Sequence, residues 1–259
     1  MPGHSAPSTP TQRLRDKVAI VTGAASGFGA RIAGRFHAEG ARVVLADLNL
    51  AAAQALAQRL GDDALAVQAD VTQAAEVQAM VDAALARFGA VHILVNNAGT
   101  THAPSAAVDV DEALFDRVFA VNVKSIYHGV RSTVPVFRRQ GGGVVLNVGS
   151  IGGLRPRPGL VWYGASKGAV ANLSRGLAAE LAPLGIRVNH IAPAVGATPL
   201  LDRFVGGDHG DALDRLVATI PLGRLCAPDD VAAAAVYLAS DDAAFVTGID
   251  LCVDGGRNI

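Results

Sequence analysis

Short runs of β-branched residues alternate with alanine-rich stretches of helical period along most of this chain. Strands that each lead into a helix form βαβ units, and these units build a parallel sheet with helices on both faces. We therefore predict a doubly wound α/β fold with a sheet of about seven strands. The predicted strands are Val18 to Thr22, Arg42 to Ala46, Ala64 to Ala69, Val91 to Val95, Val144 to Val148, Arg187 to Ile191 and Ile249 to Val253. The predicted helices are Gly27 to Glu39, Leu50 to Leu60, Gln73 to Phe88, Asp111 to Val134, Tyr163 to Leu181 and Asp229 to Ala239.

The length of 259 residues and the hydrophobic content of 51% predict one sizeable core. Residues 1–15 are rich in Pro, Ser and Thr, so we interpret them as a flexible tail before a single domain at 16–259. Within that domain, Gly206, Gly207 and Gly210 interrupt the apolar pattern, and we interpret residues 198–219 as a mobile flap over the active site.

Composition excludes several classes of protein. A formal net charge of -1 leaves no basic excess for nucleic acid or an anionic membrane surface. The longest apolar run, Val231 to Ala239, is too short for a membrane span. Cys226 and Cys252 match no disulfide framework or metal spacing, which favours free thiols in the cytoplasm, and the scattered histidines predict no metal site.

A glycine-rich turn, TGAASGFG at residues 22–29, follows the first predicted strand and leads directly into a helix. Glycines permit a tight turn and close approach of the backbone, and a helix N-terminus favours a pyrophosphate. Chance could supply such a turn in a chain with 29 glycines. Asp47, at the end of the second predicted strand, stands where a dinucleotide site needs a carboxylate for the ribose hydroxyls. The same carboxylate would repel a 2′-phosphate, so we predict NAD as the cofactor.

The spacing of these glycines resembles the cofactor turn of the short-chain dehydrogenase/reductase family. Further matches follow in that family's order over about Lys17 to Gly256. They are Asp70-Val71, Asn96-Asn97-Ala98-Gly99, Asn122, Ser150 and Tyr163-Gly164-Ala165-Ser166-Lys167. The resemblance implies a Rossmann-type catalytic domain and an enzyme that interconverts an alcohol and a carbonyl.

Tyr163 and Lys167 are four residues apart, so a helix places them on one face. A tyrosine pKa near 10 is too high for a base at neutral pH, but a nearby ammonium and the positive nicotinamide favour phenolate. By resemblance, Tyr163 is the general acid/base, Ser150 binds the reacting oxygen, Lys167 also holds the nicotinamide ribose, and Asn122 helps to hold a water in a proton relay.

The resemblance also implies the cofactor contacts. After the sixth strand the family has Pro-Gly and then a hydrophobic residue, whereas this chain has Ala194 and Gly196 at those positions. The complete predicted set of cofactor residues is Gly23, Ser26, Gly27, Phe28, Gly29, Asp47, Leu48, Asp70, Val71, Asn97, Ala98, Gly99, Tyr163, Lys167, Pro193, Gly196 and Thr198.

Substrate selection should lie in the loops after the fourth, fifth and sixth strands. Most candidates there are apolar, which favours a hydrophobic secondary alcohol or ketone. The predicted substrate residues are Ser150, Ile151, Trp162 and Tyr163, with His102, Leu154, Leu160, Val195, Leu201 and Phe204 as further candidates. Arg155 and Arg157 could meet a carboxylate or phosphate, although arginines between prolines are more often solvated.

Two alternatives stay open. One is a 3-oxoacyl thioester reductase of the same family, which commonly takes NADP and is therefore disfavoured by Asp47. The other is a sensor that binds NAD without turnover, which has no need of an activated phenol. Family members are usually tetramers that pair their long central helices and C-terminal strands, so the resemblance also implies a homotetramer.

Overall fold

The computed structural model describes residues 12–205 and 210–259. Its seven strands form one parallel sheet in the order β3-β2-β1-β4-β5-β6-β7, which confirms the predicted fold class. The strands are β1 (Val18–Thr22), β2 (Arg42–Asp47), β3 (Ala64–Gln68), β4 (Ile93–Asn96), β5 (Gly143–Val148), β6 (Ile186–Pro193) and β7 (Asp250–Val253).

Helices cover both faces of this sheet. They are α1 (Gly27–Ala38), α2 (Leu50–Leu60), α3 (Ala74–Phe88), α4 (Glu112–Phe119), α5 (Ser125–Gln140), α6 (Val161–Leu181), α7 (Leu201–Val205), α8 (Asp211–Ala218) and α9 (Pro228–Ala239). Within the described part of the chain, no helix is long and apolar enough to cross a membrane.

Two apolar clusters hold the layers together. On one face, Ile32 and Phe36 of α1 and Val231 of α9 are completely buried against the sheet. On the other face, Met80 of α3 and Phe137 of α5 are completely buried. The order of strands reverses between β1 and β4, so a crevice opens at their carboxyl ends, where ligands bind in such sheets.

The helix predicted at Asp111 to Val134 differs from the observed structure. A π-helical turn, Ala120–Lys124, separates α4 from α5, and α5 continues past Pro135 to Gln140. Sequence periodicity does not mark the turn, because it depends on hydrogen bonds from Asn122 to a distant loop. Packing of Val136 and Phe137 in the core stabilises the helix beyond the proline.

Part of the predicted N-terminal tail is packed. Leu14 is completely buried, and its N–H donates to the carbonyl of Glu39 over 2.9 Å. Residues 12–15 therefore pack against the domain, because Leu14 adds apolar area to the first cluster. Residues 1–11 lie outside the described residues.

The predicted flap contains α7 and α8, with Gly210 directly before α8. Gly206 and Gly207, on which its interpretation also depended, lie outside the described residues. Phe204 of α7 packs edge to face on Tyr163 with the ring centroids 5.3 Å apart. Phe204 of this segment thus lies beside the predicted catalytic tyrosine.

Candidate active site

The glycine-rich turn between β1 and α1 is built around two positions with no room for a side chain. Gly23 has a φ of 65°, which is a left-handed conformation that favours glycine. A Cβ at Gly29 would lie 2.1 Å from the carbonyl oxygen of Gly23 and 2.4 Å from Nδ2 of Asn97. Gly29 therefore serves the packing of the turn, whereas Gly23 and Gly27 line the cleft above it.

The loop after β4 is hydrogen-bonded to this turn. Asn97 Nδ2 donates to the carbonyls of Thr22 over 2.8 Å and of Gly23 over 3.2 Å. Thr22 Oγ1 accepts from the N–H groups of Asn97 and Ala98. Asn97 and Ala98 thus hold two loops together, a role that is not evident from the sequence, in addition to the cofactor contacts predicted for them.

Asp47 lies at the end of β2 and lines the same cleft. Its Oδ2 accepts from the N–H of Ala25 over 2.9 Å, and its Oδ1 accepts from the N–H of Asn49 over 2.9 Å. The two bonds fix the carboxylate at the edge of the glycine turn. Asp47 therefore combines the role of a strand-end turn residue with the position that a ribose-binding carboxylate needs.

The cleft at the carboxyl ends of the strands has a volume of about 450 Å³. It brings together nearly all of the predicted cofactor residues. Those that line it are Gly23, Ser26, Gly27, Phe28, Asp47, Leu48, Asp70, Val71, Asn97, Ala98, Gly99, Tyr163, Lys167, Pro193, Gly196 and Thr198, together with Ser150. Arg117 and Arg203, which the sequence analysis did not select, also line it.

The loop after β6 departs from the family pattern for a reason that the structure provides. A Cβ at Gly196 would lie 2.2 Å from Cζ of Phe28, so the phenyl ring of the glycine turn fills the space of a side chain there. Main-chain hydrogen bonds between Cys226 and both Val195 and Ala197 keep the loop in an extended path. Phe28 and Gly196 thus form a complementary pair.

Tyr163 and Lys167 lie one turn apart in α6, and both are buried. Lys167 Nζ donates to the carbonyl of Val148 over 3.2 Å and lies 5.9 Å from the centre of the Tyr163 ring. Ser150 caps a short 3₁₀ turn, where its Oγ accepts from the N–H of Gly152 over 3.0 Å. The three side chains meet at one end of the cleft.

Burial dominates the titration of both groups in the protein alone. It raises the pKa of Tyr163 to about 12, and a hydrogen bond with Ser150 and the charge of Arg157 lower it to a smaller extent. Burial also lowers the pKa of Lys167 to about 8. The expected decrease in the tyrosine pKa is therefore absent in the protein alone.

Asn122 lies in the π-helical turn and contacts the loop after β4. Its Oδ1 accepts from the N–H of Thr100 over 2.8 Å, and its Nδ2 donates to the carbonyl of Thr100 and to Oγ of Ser166. A Cβ at Gly99 would lie 3.3 Å from Lys167 Nζ and 3.5 Å from Asn122 Oδ1. Asn122 therefore reaches the neighbourhood of Lys167 without lining the cleft.

The predicted substrate residues separate into two groups. Ile151 and Leu160 line a second, smaller cavity that adjoins Ser150 and Tyr163. Trp162 lines neither cavity, since its Nε1 donates to the carbonyl of Ala107 and its ring packs edge to face on Phe115. The structure thus places Trp162 between α4 and α6, where it packs the scaffold.

Comparison with known proteins gives the family. A family model described as enoyl-(acyl carrier protein) reductase matches residues 23–258. The 4-formylbenzenesulfonate dehydrogenase of Comamonas testosteroni is 51% identical over 95% of this chain and 99% of its own length. The chain belongs to the short-chain dehydrogenase/reductase family.

Two further members of this family show the same coverage of the chain. The D-threitol dehydrogenase of Mycolicibacterium smegmatis is 43% identical over 95% of both chains. A crystal structure of the 3-ketoacyl-(acyl-carrier-protein) reductase of Brucella melitensis in complex with NADH has a TM-score of 0.90 and 47% identity over 95% of this chain and all of that one. The chain is therefore an oxidoreductase of this family.

Proposed function

We propose that the protein transfers a hydride between NAD(H) and a secondary alcohol or ketone, with Tyr163 as the general acid/base. One observation supports this above all others. Ser150, Tyr163 and Lys167 meet at one end of a cleft that has the glycine turn and Asp47 at the other. A dinucleotide that spans the cleft would bring its reactive ring to the tyrosine.

The residues of the cleft fit such a cofactor. Gly29 and Asn97 keep the turn narrow, and Gly99 leaves the ammonium of Lys167 accessible beside the cleft. Asp47 would accept hydrogen bonds from the adenine-side ribose and repel a 2′-phosphate, which supports NAD. The NADH complex of the Brucella relative agrees with this assignment.

When bound, the nicotinamide supplies the position that accepts or gives the hydride. Ser150 orients the substrate by a hydrogen bond to its oxygen. During oxidation, Tyr163 accepts the hydroxyl proton as the hydride leaves the carbon. The substrate loses one H⁺ and one H⁻, so its net charge does not change. During reduction, Tyr163 donates that proton, for which its raised pKa is suited because the phenol is protonated at neutral pH.

Lys167 and Asn122 assist the proton transfer at Tyr163. A charged Lys167 stabilises the phenolate, and the positive nicotinamide adds to that effect, so the tyrosine pKa should fall when the oxidised cofactor binds. We propose that Lys167 holds the nicotinamide ribose and that Asn122 helps to hold a water leading from Lys167 to solvent. Their common approach to Gly99 supports this proposal.

The thioester reductase is the second candidate, because the solved relative from Brucella carries that name. Other relatives are named for different substrates, among them a sulfonated benzaldehyde and a sugar alcohol. Relatives therefore do not select one substrate. A sensor without turnover is the weakest candidate, because it would not need Ser150, Tyr163 and Lys167 together.

We further propose one catalytic domain over residues 16–259, with 198–219 as its substrate flap. The same proposal includes a cytoplasmic homotetramer. An apolar groove of about 790 Å³ between α5 and α6, with Tyr127 55% exposed at its rim, supports the pairing of long helices. The two free cysteines, Cys226 and Cys252, agree with a reducing compartment.

The test is the rate of NADH formation with NAD or NADP and a panel of aliphatic, cyclic, aromatic and sugar alcohols. We expect NAD to be preferred, and Tyr163→Phe to lower kcat/KM by about a hundredfold to ten-thousandfold. Tyr237→Phe is the matched control, since Tyr237 is 37% exposed on α9, away from the cleft. Turnover that survives in Tyr163→Phe would reject the assignment, and NAD binding without turnover of any alcohol would favour the sensor.

A further inference from the structure

A second cavity adjoins the catalytic tyrosine on the side away from Asp47. It has a volume of about 30 Å³ and shares Ser150, Tyr163, Val195 and Phe204 with the cofactor cleft. Its remaining wall includes three arginines from two distant parts of the chain, which are Arg155, Arg157 and Arg257. This concentration of positive charge lies beside the reacting hydroxyl.

Arg157 is held in place by α7. It is half-buried, and its Nη2 donates to the carbonyl of Phe204 over 3.3 Å. Its Cζ lies 5.7 Å from the centre of the Phe204 ring, whose other edge meets Tyr163. The guanidinium is therefore positioned about one aromatic ring away from the catalytic tyrosine, with most of its N–H donors left for a ligand.

No Asp or Glu side chain in residues 12–205 and 210–259 forms an ion pair with Arg155, Arg157 or Arg257. Arg155 donates instead to the main-chain oxygens of Arg257 and Ile259. Burial lowers the pKa of Arg157, and the charge of Arg257 lowers it further. Two like charges beside an apolar cavity are unfavourable unless an anion joins them.

We propose that the substrate carries a carboxylate or sulfonate on an apolar body, and that Arg157 and Arg257 bind this group while the alcohol or carbonyl faces Ser150 and Tyr163. The proposal rests on the proposed function. Guanidinium groups match the planar array of oxygens in such anions. Ile151, Leu160 and Val195 supply the apolar surface that would contact the rest of the substrate.

The test compares secondary alcohols that differ only in one group. We would measure kcat/KM for 4-(1-hydroxyethyl)benzoate and 4-(1-hydroxyethyl)benzenesulfonate, which separate the two anions, against the neutral 4-(1-hydroxyethyl)benzamide. We expect at least one anion to exceed the amide, and Arg157→Gln to lower that ratio by about tenfold to a hundredfold. The ratio cancels any effect of the variant that is common to all three substrates.

Arg59→Gln is the matched control, because Arg59 is an exposed arginine in the last turn of α2. It should leave the ratio unchanged. A wild-type enzyme that does not prefer either anion, or a preference that persists in Arg157→Gln and in Arg257→Gln, would overturn the proposal.

A binding measurement separates this proposal from the catalytic one. Calorimetric titration of 4-acetylbenzoate and 4-acetylbenzenesulfonate into Tyr163→Phe with NADH present requires no turnover. Tighter binding of an anion than of 4-acetylbenzamide, lost in Tyr163→Phe/Arg157→Gln, would support the anion site even if the wild type reduced none of them. Equal binding of all three ketones would reject the anion site even if the enzyme reduced the amide through Tyr163.

Discussion

The two ends of the cleft are built in different ways. The cofactor end consists of a turn and the ends of strands, and main-chain groups make most of its contacts: Asp47 accepts from backbone N–H groups and Asn97 donates to backbone carbonyls. The substrate end is assembled from the loop after β5, helix α7 and the segment after β7, which supply Arg157, Phe204 and Arg257.

The difference shows which function tolerates variation. A cofactor end made of backbone requires glycine at fixed spacings, and few other sequences can form it. A substrate end made of side chains from two loops and a short helix can change its ligand without a change of scaffold. Relatives with one fold but names that refer to different substrates agree with this division.

The largest effect should come from Gly29→Ala, which places a methyl group 2.1 Å from the Gly23 carbonyl. The turn must open to relieve this contact, and we expect NAD affinity to fall by about a hundredfold, with a lower Tm. Titration of NAD followed by fluorescence measures the first effect, and thermal unfolding measures the second.

The control for Gly29 lies in the same helix. A Cβ at Gly34 would meet nothing within 4 Å, so Gly34→Ala should bind NAD normally and gain about 1 kcal/mol in free energy of unfolding from helix propensity. Equal NAD affinity in Gly29→Ala and Gly34→Ala would show that the cofactor end does not depend on a close approach of the backbone. The contrast between the two ends of the cleft would then be wrong.

Much of this cofactor end could be predicted because its requirements are local. The turn, Asp47 and the strands that carry them are each specified by a few neighbouring residues, and the observed bounds of β1 and α2 equal the predicted ones. The π-helical turn at Asn122 was missed, because it depends on hydrogen bonds to Thr100, which is 22 residues away in sequence.

At the substrate end, the same limit applies more strongly. Arg257 follows the last strand and Arg157 precedes α6, and only the tertiary fold places both beside Tyr163. Trp162 adjoins the catalytic tyrosine in sequence, yet helical geometry directs it toward Phe115 instead. Adjacency in sequence to Tyr163 therefore does not place Trp162 in the cavity, whereas the loop after β5 and the segment after β7 both line it.

A smaller effect is expected at the contact between Phe28 of the glycine turn and Gly196 of the loop after β6. Gly196 does not have a positive φ, so only the phenyl ring requires glycine there. Gly196→Val should weaken NAD binding by about tenfold, because the added side chain displaces the ring. Phe28→Ala/Gly196→Val should recover most of this loss, since the valine then fills the space of the ring.

A double-mutant cycle on NAD affinity measures this coupling, with Phe28→Ala as its fourth corner. Additive losses in the double variant would mean that the two residues act independently. The loop after β6 would then require Gly196 for a reason other than the Phe28 ring, and the glycine turn and this loop would be less strongly coupled than their contact indicates.

The smallest effect concerns a buried titratable residue that packs next to the loop carrying Ser150. His190 of β6 is completely buried, its Nδ1 lies 2.8 Å from Oδ1 of Asp250, and a Cβ at Gly149, next to Ser150, would lie 1.9 Å from its Nε2. Burial lowers the pKa of His190; Lys167 and Arg175 also lower it, while Asp250 raises it without reversing the direction.

Near the ordinary histidine pKa of 6.5, His190 therefore binds more protons in the unfolded chain than in the folded protein. The contribution of this residue to the free energy of unfolding should therefore fall as the pH is lowered through 6.5, by no more than about 1.4 kcal/mol per pH unit. Urea unfolding across that range should show a shallower pH dependence for His190→Gln than for wild type or for His37→Gln in α1. If the slope is unchanged in His190→Gln, the pH dependence belongs to His92 and His128, whose pKa values burial also lowers. The packing of His190 against Gly149, next to Ser150, would then be independent of pH.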